Sequence, residues 1–205
     1  MCSAGAQGRK DPENNRRVYE EAIPLLLSQG EGAVKRFVYL SSTCVSWPAA
    51  LPDDEVPRGR AITQPFLLRV YKFKRRGEAA LRRSGASYAI VRVNSPVSRE
   101  HFDKLLGGAE PGEERIVVHA DDDQDIDGLG PTRMYVGNLA SVLVDAAFNE
   151  ATQGKTFGVA TMLESPGARG AGAWREEVAR VPLDSERDDP WPEDLFEPAP
   201  RETCA

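Results

Sequence analysis

The chain has 205 residues, of which 26 are Lys or Arg and 32 are Asp or Glu, so its formal net charge is −6. No apolar run approaches the roughly 18 residues that a membrane span requires. The three cysteines lie far apart in the sequence, a pattern that favours a soluble protein in a reducing, intracellular compartment over a secreted one. Acidic residues outnumber basic ones, so binding to a nucleic acid is not expected.

The charge is unevenly distributed and indicates where the globular part ends. Residues 164–205 carry 11 acidic and 5 basic side chains, which accounts for the whole net charge, and they hold six of the 15 prolines. Such a composition is typical of segments that cannot bury a core. We therefore expect a disordered N-terminus at residues 1–14, a domain at residues 15–163, and a disordered, acidic, Pro-rich tail at residues 164–205 with a short helix at 173–181.

The first half of the body alternates helices with strands. Helical spacing of apolar residues predicts a helix over residues 15–29, which Pro24 should kink. The uninterrupted apolar run at residues 37–40 is typical of a strand buried on both faces of a parallel sheet. A helix at residues 65–83 and a similar strand at residues 88–93 follow. A strand, a helix and a strand at this spacing form a βαβ unit, whose strands run parallel.

The second half of the body continues the alternation. Its pattern predicts a strand at residues 114–120, an amphipathic helix at 136–151 and a strand at 155–161. The acidic segment "DQDIDG" matches the opening of a calcium-binding loop, but Met134 stands where that loop requires a bidentate acid. We interpret this segment as a surface loop and predict no metal site. The chain as a whole is predicted to be an α/β protein with a doubly wound, mainly parallel sheet.

Polar side chains follow the first two strands, at the sheet edge where open α/β folds bind ligands. The first strand leads into Ser41, Ser42 and Thr43, and the second into Val93, Asn94 and Ser95. Lys74 lies on the helix that joins these strands. A lysine in this position can hydrogen-bond ribose hydroxyls and lower the pKa of a neighbouring hydroxyl. The alternative interpretation is that Lys74 is one of several basic residues on a solvated helix face.

Three segments of the sequence resemble successive blocks of one protein family. The segments are "VKRFVYLSS", "YKFKRRGEAALRRSGASYAIVR" and "VGNLASVLVDAAFNEATQGKTFGV". In order and spacing they are similar to the atypical short-chain dehydrogenase/reductases, and more narrowly to the NAD(P)-binding, NmrA-like branch of plants, algae and cyanobacteria. The resemblance covers about residues 15–163. It implies a Rossmann-like fold, NADP or NAD as cofactor, and hydride transfer as the reaction.

The resemblance also implies a set of site residues. Lys74 would orient the nicotinamide ribose, and Ser42 or Thr43 would polarise the substrate. The implied cofactor-binding residues are Ser41, Ser42, Lys74, Arg92, Val93, Asn94 and Ser95. The active-site tyrosine of catalytic relatives stands four residues before the lysine, where this sequence has Val70. Tyr71 comes one residue later, which turns it about 100° around the helix, so the usual proton donor is missing.

The largest departure from the family is the absence of a Gly-rich turn between a first strand and helix, which would hold the pyrophosphate of a dinucleotide. We therefore expect the chain to be a truncated product, equivalent to the C-terminal two-thirds of the family's domain, a partial Rossmann-like fold. Its first strand would present an apolar edge that a protein partner could cover.

Two functions follow as alternatives. One is an NAD(P)-binding, oxidoreductase-like protein that acts as an enzyme when full length. The other is a non-catalytic Rossmann-like scaffold or assembly factor. For this chain we expect NADP or NAD binding to be weak or absent, since the pyrophosphate site is missing. Both the cytoplasm and the chloroplast stroma fit the sequence as compartments.

Overall fold

The structure is a computed structural model and describes residues 12–30, 33–43, 45, 65–93, 96–101, 114–120, 134–163 and 173–187. Several sequence expectations fall outside these residues. They are the first 11 of the 14 N-terminal residues expected to be disordered, the acidic loop at 121–133, the positions of Asn94 and Ser95, and the tail at 164–172 and 188–205. The other three residues of that N-terminus, 12–14, are helical instead.

The described ranges contain six strands, five α-helices with defined bounds, and helical residues at 99–101. The strands are β1 (Phe37–Ser42), β2 (Tyr88–Val93), β3 (Pro96–Val97), β4 (Glu114–His119), β5 (Met134–Tyr135) and β6 (Lys155–Leu163). The helices are α1 (Pro12–Arg16), α2 (Ala22–Gln29), α3 (Pro65–Arg83), α4 (Val136–Ala146) and α5 (Trp174–Arg180). A π-helical turn (Arg17–Glu21) joins α1 to α2, and 3₁₀ turns span Glu150–Thr152 and Asp184–Glu186.

The main sheet has the strand order β1-β2-β6-β4. Strands β1, β2 and β6 are parallel, and β4 runs antiparallel to β6 at the edge. The strands β3 and β5 form a separate parallel pair. The prediction of an α/β fold with a mainly parallel sheet is confirmed, and β2 and β6, which each pair on both sides, are its most buried strands.

Helices cover both faces of the sheet, because alternate side chains of each strand point to opposite faces. On one face, Ile23 of α2 and Leu81 of α3 pack with Tyr39 and Ile90 of the sheet. The opposite face packs against α4 and α5. The large buried side chains on that face are Val91, Val93, Phe157, Leu139, Val142, Trp174 and Val178. The fold is therefore three-layered around the sheet.

The N-terminal helix contains an irregularity one turn before Pro24. In the π-helical turn the amide of Ala22 donates to the carbonyl of Arg17. The Tyr19 carbonyl lies five residues before Pro24, which has no N–H to donate to it. It accepts instead a hydrogen bond from the hydroxyl of Tyr39, at 3.0 Å. The predicted interruption at Pro24 thus takes the form of a wider turn that exposes a carbonyl to the sheet.

Helix α4 is shorter than the sequence predicts. It ends at Ala146 rather than at residue 151, and a 3₁₀ turn follows. The side chain of Asn149 accepts a hydrogen bond from the amide of Ala151, and Arg36 donates to the carbonyls of Ala146 and Asn149 at 3.3 and 2.7 Å. The side-chain cap and the distant arginine satisfy backbone groups that a continuing helix would have paired internally.

The C-terminal segment packs against the sheet. The short helix expected at residues 173–181 is present as α5, with Trp174 and Val178 buried in the core. Beyond it, the carboxylate of Asp184 accepts hydrogen bonds from the backbone and the hydroxyl of Thr156, at 2.8 and 2.6 Å. Residues 173–187, which the composition assigns to the tail, therefore contact the body of the domain.

Strand β1 lies at the edge of the main sheet and pairs with β2 alone in the described part of the chain. Leu40, near its end, is 36% exposed. None of the helices in the described ranges is long and apolar enough to span a membrane.

Candidate functional site

The carboxyl ends of β1 and β2 lie side by side, as the βαβ unit requires. The register pairs Ser41 with Arg92 and Ser42 with Val93. The pairing continues one residue further, because the amide of Thr43 donates to the carbonyl of Val93 at 3.2 Å. Ser42 and Thr43 are partly buried. This end of the two strands is the floor of the candidate site.

Lys74 reaches this floor from α3. Its Nζ donates a hydrogen bond to Oγ of Ser42 at 2.8 Å. The sequence left open whether Lys74 belongs to a solvated helix face. In the structure its side chain crosses from the helix to the end of β1, and it is partly buried.

A tyrosine from the N-terminal helix completes the surroundings of Lys74. The Nζ atom lies 5.1 Å from the centroid of the Tyr19 ring, a distance at which a cation is attracted to the ring face. Burial lowers the pKa of Lys74 from 10.5 to about 8, and the negative charge of Glu78 opposes this shift. A fraction of Lys74 is therefore neutral near pH 8. No sequence motif marks Tyr19, which lies far earlier in the chain.

One turn after Lys74, the fully buried Glu78 accepts hydrogen bonds from three arginines. Arg92 of β2 donates to it from Nε at 3.0 Å and from Nη2 at 2.6 Å. Arg75 and Arg82 of the same helix each donate at 3.3 Å. Burial alone would raise the pKa of Glu78, but the charges of Arg92, Arg82 and Arg75 lower it below its ordinary value. The cluster is a charged link between α3 and the sheet, directly behind Lys74.

The remaining site residues named from the sequence occupy different positions. Arg92 is 6% exposed, and its guanidinium is hydrogen-bonded to Glu78. Val93 is buried in the core beside α4 and α5. Ser41 is fully buried, and in the described part of the chain its Oγ has no hydrogen-bond partner. Asn94 and Ser95 lie outside the described residues.

A second chain of contacts joins this cluster to the C-terminal segment. Arg82 donates from Nε to Asp184 at 2.9 Å and from Nη2 to Thr156 at 2.8 Å. The hydroxyl of Tyr88 also donates to Asp184, at 3.1 Å. Composition could not reveal this carboxylate, because Asp184 is one of many acidic residues near the C-terminus. Helix α3, which carries Lys74, is thus bonded both to the sheet and to the C-terminal segment that contains Asp184.

Position 70, where catalytic relatives of the resembled family carry a tyrosine, contributes no ionisable group. Val70 is partly buried. The phenol ring found beside Lys74 belongs to Tyr19, and it faces the ammonium with its ring. Among the described residues, no group of three or more His, Cys, Asp or Glu side chains is arranged to hold a metal ion.

The fold is similar to those of two solved bacterial structures. One is a protein assigned as an NAD-dependent epimerase/dehydratase from Bacillus halodurans, with a TM-score of 0.57 and 18% identity over 79% of this chain and 63% of that chain. The other is the oxidoreductase ylbE from Lactococcus lactis, with a TM-score of 0.53 and 17% identity over 84% of this chain and 64% of that chain.

This chain spans less than two thirds of the length of either structure. No protein-family model matches the sequence, and no curated protein is significantly similar to it. At these identities the similarity establishes the fold. The chain is an α/β protein with a mainly parallel sheet, a fold that it shares with both solved structures.

Proposed function

We propose that the chain is an NAD(P)-binding, oxidoreductase-like protein of the atypical short-chain dehydrogenase/reductase type, close to the NmrA-like branch. The observation that carries the proposal is the hydrogen bond between Lys74 and Ser42 at the carboxyl end of β1. In open α/β sheets this end of the strands is where ligands bind. The similarity of fold to two solved proteins with dehydratase and oxidoreductase names supports the same conclusion.

The side chains present fit the nicotinamide half of a dinucleotide. Lys74 carries donors that can bind ribose hydroxyls, and Ser42 can donate to a substrate carbonyl next to it. Thr43 offers a second hydroxyl at the same strand end. The cofactor would supply the hydride, while this chain's residues would orient the ribose and polarise the carbonyl. Ser41, Arg92, Val93, Asn94 and Ser95 complete the set proposed to contact or support it.

In this proposal Arg92 positions helix α3 and does not bind the cofactor through its side chain. Its guanidinium is bound to Glu78, which lies one helical turn after Lys74 on the same face of α3. The proposed role of Arg92 is therefore to hold α3 at the depth that lets Lys74 reach Ser42. It fixes the position of the lysine without touching the dinucleotide through its side chain.

Binding of the intact dinucleotide by this chain is proposed to be weak. The sequence has no Gly-rich turn for the pyrophosphate. Hydrogen-bond donors of this chain would therefore contact only the nicotinamide half of the dinucleotide. The choice between NADP and NAD would depend on residues beside the adenosine ribose, and neither is favoured by the residues described here.

The second candidate function is a non-catalytic scaffold or assembly factor. The observation that favours it is the edge strand β1, which pairs on one side alone in the described residues and exposes Leu40. A protein partner that adds a strand to this edge would pair its free backbone groups. Val70 in the position of the active-site tyrosine fits a protein without reductase activity.

A titration of backbone amide resonances separates the two functions. NADPH and NADH are added to the isotope-labelled chain up to millimolar concentration. For the cofactor-binding function we expect shifts confined to Ser42, Thr43, Lys74 and their neighbours, with Lys74→Met abolishing them. Lys35→Met, which removes an exposed lysine away from the site, is the matched control and should leave them unchanged. An absence of shifts in the unmodified chain at millimolar dinucleotide would refute cofactor binding and leave the scaffold function.

A further inference from the structure

The pair formed by Ser42 and Lys74 has the geometry of a nucleophile and its base. The Nζ and Oγ atoms are 2.8 Å apart, within the range over which a proton passes between them. Both residues are partly rather than fully buried. No carboxylate from the described residues forms a hydrogen bond with Lys74, so its Nζ is held by a hydroxyl and an aromatic face.

We propose that Ser42 and Lys74 form a serine–lysine pair that accepts an acyl group from an activated ester and hydrolyses it. Serine–lysine pairs are one of the recurring variants of the catalytic triad, recognised by geometry rather than by fold. This activity goes beyond the proposed function and does not depend on it, since it needs no dinucleotide.

The environment of Lys74 makes the required neutral amine accessible. With the amine charged, Nζ donates to Oγ; with it neutral, the same contact is reversed and the Ser42 hydroxyl donates to Nζ. Burial lowers the pKa of Lys74 to about 8. Among the described residues, the charged and titratable groups that act on it are Glu78 on its own helix and Tyr19 on the packed N-terminal helix. Glu78 favours the ammonium, and three arginines already pair with this carboxylate.

The acylation step balances without an additional reactant. Neutral Lys74 takes the proton from the Ser42 hydroxyl as Oγ attacks the carbonyl carbon of the ester. The bond from Oγ to carbon forms, the ester carbon–oxygen bond breaks, and the leaving group departs as its anion, which the proton later released by Lys74 neutralises. The ammonium formed at Nζ stabilises the negative charge that develops beside it.

The deacylation step returns the pair to its starting state. Lys74 first loses its proton to solvent. The neutral amine then takes a proton from water as the water oxygen attacks the acyl carbon. The bond from Oγ to carbon breaks, and Oγ recovers a proton from Nζ. The net reaction is ester plus water giving carboxylic acid plus alcohol.

The test uses p-nitrophenyl acetate with the full chain. Release of p-nitrophenolate is followed by absorbance, and the acetylated residue is located by peptide mass spectrometry. We expect acetyl on Ser42, with a rate that rises with pH to a plateau around a midpoint near pH 8. Ser42→Ala should abolish this label. Lys74→Met should slow it by about a hundredfold or more, the usual contribution of a positioned base.

Two further variants make the test specific. Lys74→Arg keeps the positive charge but cannot lose its proton, so it should be as slow as Lys74→Met. Lys35→Met removes an exposed lysine and should leave the rate unchanged. Thermal melts followed by circular dichroism establish that each variant is folded. If a variant does not fold, the pH profile of the unmodified chain still tests the proposal.

Acetylation of Lys74 with Ser42 unmodified would overturn the proposal, as would equal rates for the unmodified chain and Lys74→Met. A rate that shows no midpoint between pH 6 and 10 would also overturn it. The amide titration with NADPH is independent of these results. Failure of acylation therefore leaves the cofactor proposal standing, and failure of dinucleotide binding leaves the serine–lysine pair standing.

Discussion

Arg92 of β2 holds the buried carboxylate of Glu78 on α3 with two hydrogen bonds, at 3.0 and 2.6 Å. The pair fixes the helix that carries Lys74 against the strand that ends at the site. Because Glu78 is fully buried, its charge depends on the three arginines around it. A buried carboxylate of this kind stabilises the fold only while all of its arginine partners are present.

Glu78→Gln should lower the free energy of unfolding by about 3 to 5 kcal/mol, because it leaves buried guanidinium groups without their counter-charge. Urea denaturation followed by circular dichroism measures the change. Glu150→Gln is the control, since Glu150 is 82% exposed while it pairs with Arg36 at 3.0 Å. That variant should lose less than about 1 kcal/mol. Equal losses in the two variants would show that the buried cluster contributes little.

Stability should depend on alkaline pH through Lys74. Its pKa is about 8 in the folded chain against an ordinary 10.5, so between these values the unfolded chain binds more protons. The free energy of unfolding contributed by this group therefore rises as pH increases from about 8 to 10.5, and below pH 8 the full cost of burying the ammonium applies. Urea midpoints at several pH values between 7 and 10.5 measure this rise.

Lys74→Met removes the titrating group and is the control for the alkaline effect. The variant should be more stable than the unmodified chain at pH 7, because the charged amine is no longer buried, and the difference should shrink toward pH 10.5. A difference that stays constant over this range would contradict the lowered pKa.

Gly77→Ala should destabilise the protein, although alanine is the better helix former by up to about 1 kcal/mol. A Cβ at this position would stand 2.0 Å from the Tyr19 carbonyl and 2.9 Å from the Tyr39 hydroxyl. The N-terminal helix would have to move away from α3, at a cost of about 1 to 3 kcal/mol. Thermal melts give the sign, and an increase in melting temperature would show that the two helices do not approach this closely.

Asp184→Asn should cost about 2 to 3 kcal/mol, because Asp184 accepts charge-assisted hydrogen bonds from Arg82 and further bonds from Tyr88 and Thr156. Asp145→Asn is the matched control. Asp145 pairs with Arg175, whose side chain is 57% exposed, so its loss should be within about 1 kcal/mol. If both variants unfold at the same urea concentration, the C-terminal segment does not anchor α3.

The positions of the strands and helices could be read from the sequence because their signals are local. The apolar runs at residues 37–40 and 88–93 and the helical pattern before Gly85 belong to single elements. The residues at which the elements end were harder to predict. Helix α4 stops at Ala146, and Arg36, from the segment before β1, binds the carbonyls of Ala146 and Asn149, a contact that has no counterpart in the local pattern.

The sequence by itself determined that Ser42 ends a strand of a parallel sheet and that Lys74 lies on the helix of the same βαβ unit. It left open whether Lys74 turns toward Ser42 or toward solvent. Only the tertiary structure decided the environment of that pair. Tyr19 and Arg92 come from different elements, and their distances to Lys74 and Glu78 depend on how those elements pack. The lowered pKa of Lys74 follows from this burial, which is a property of the packed layers and of no single segment.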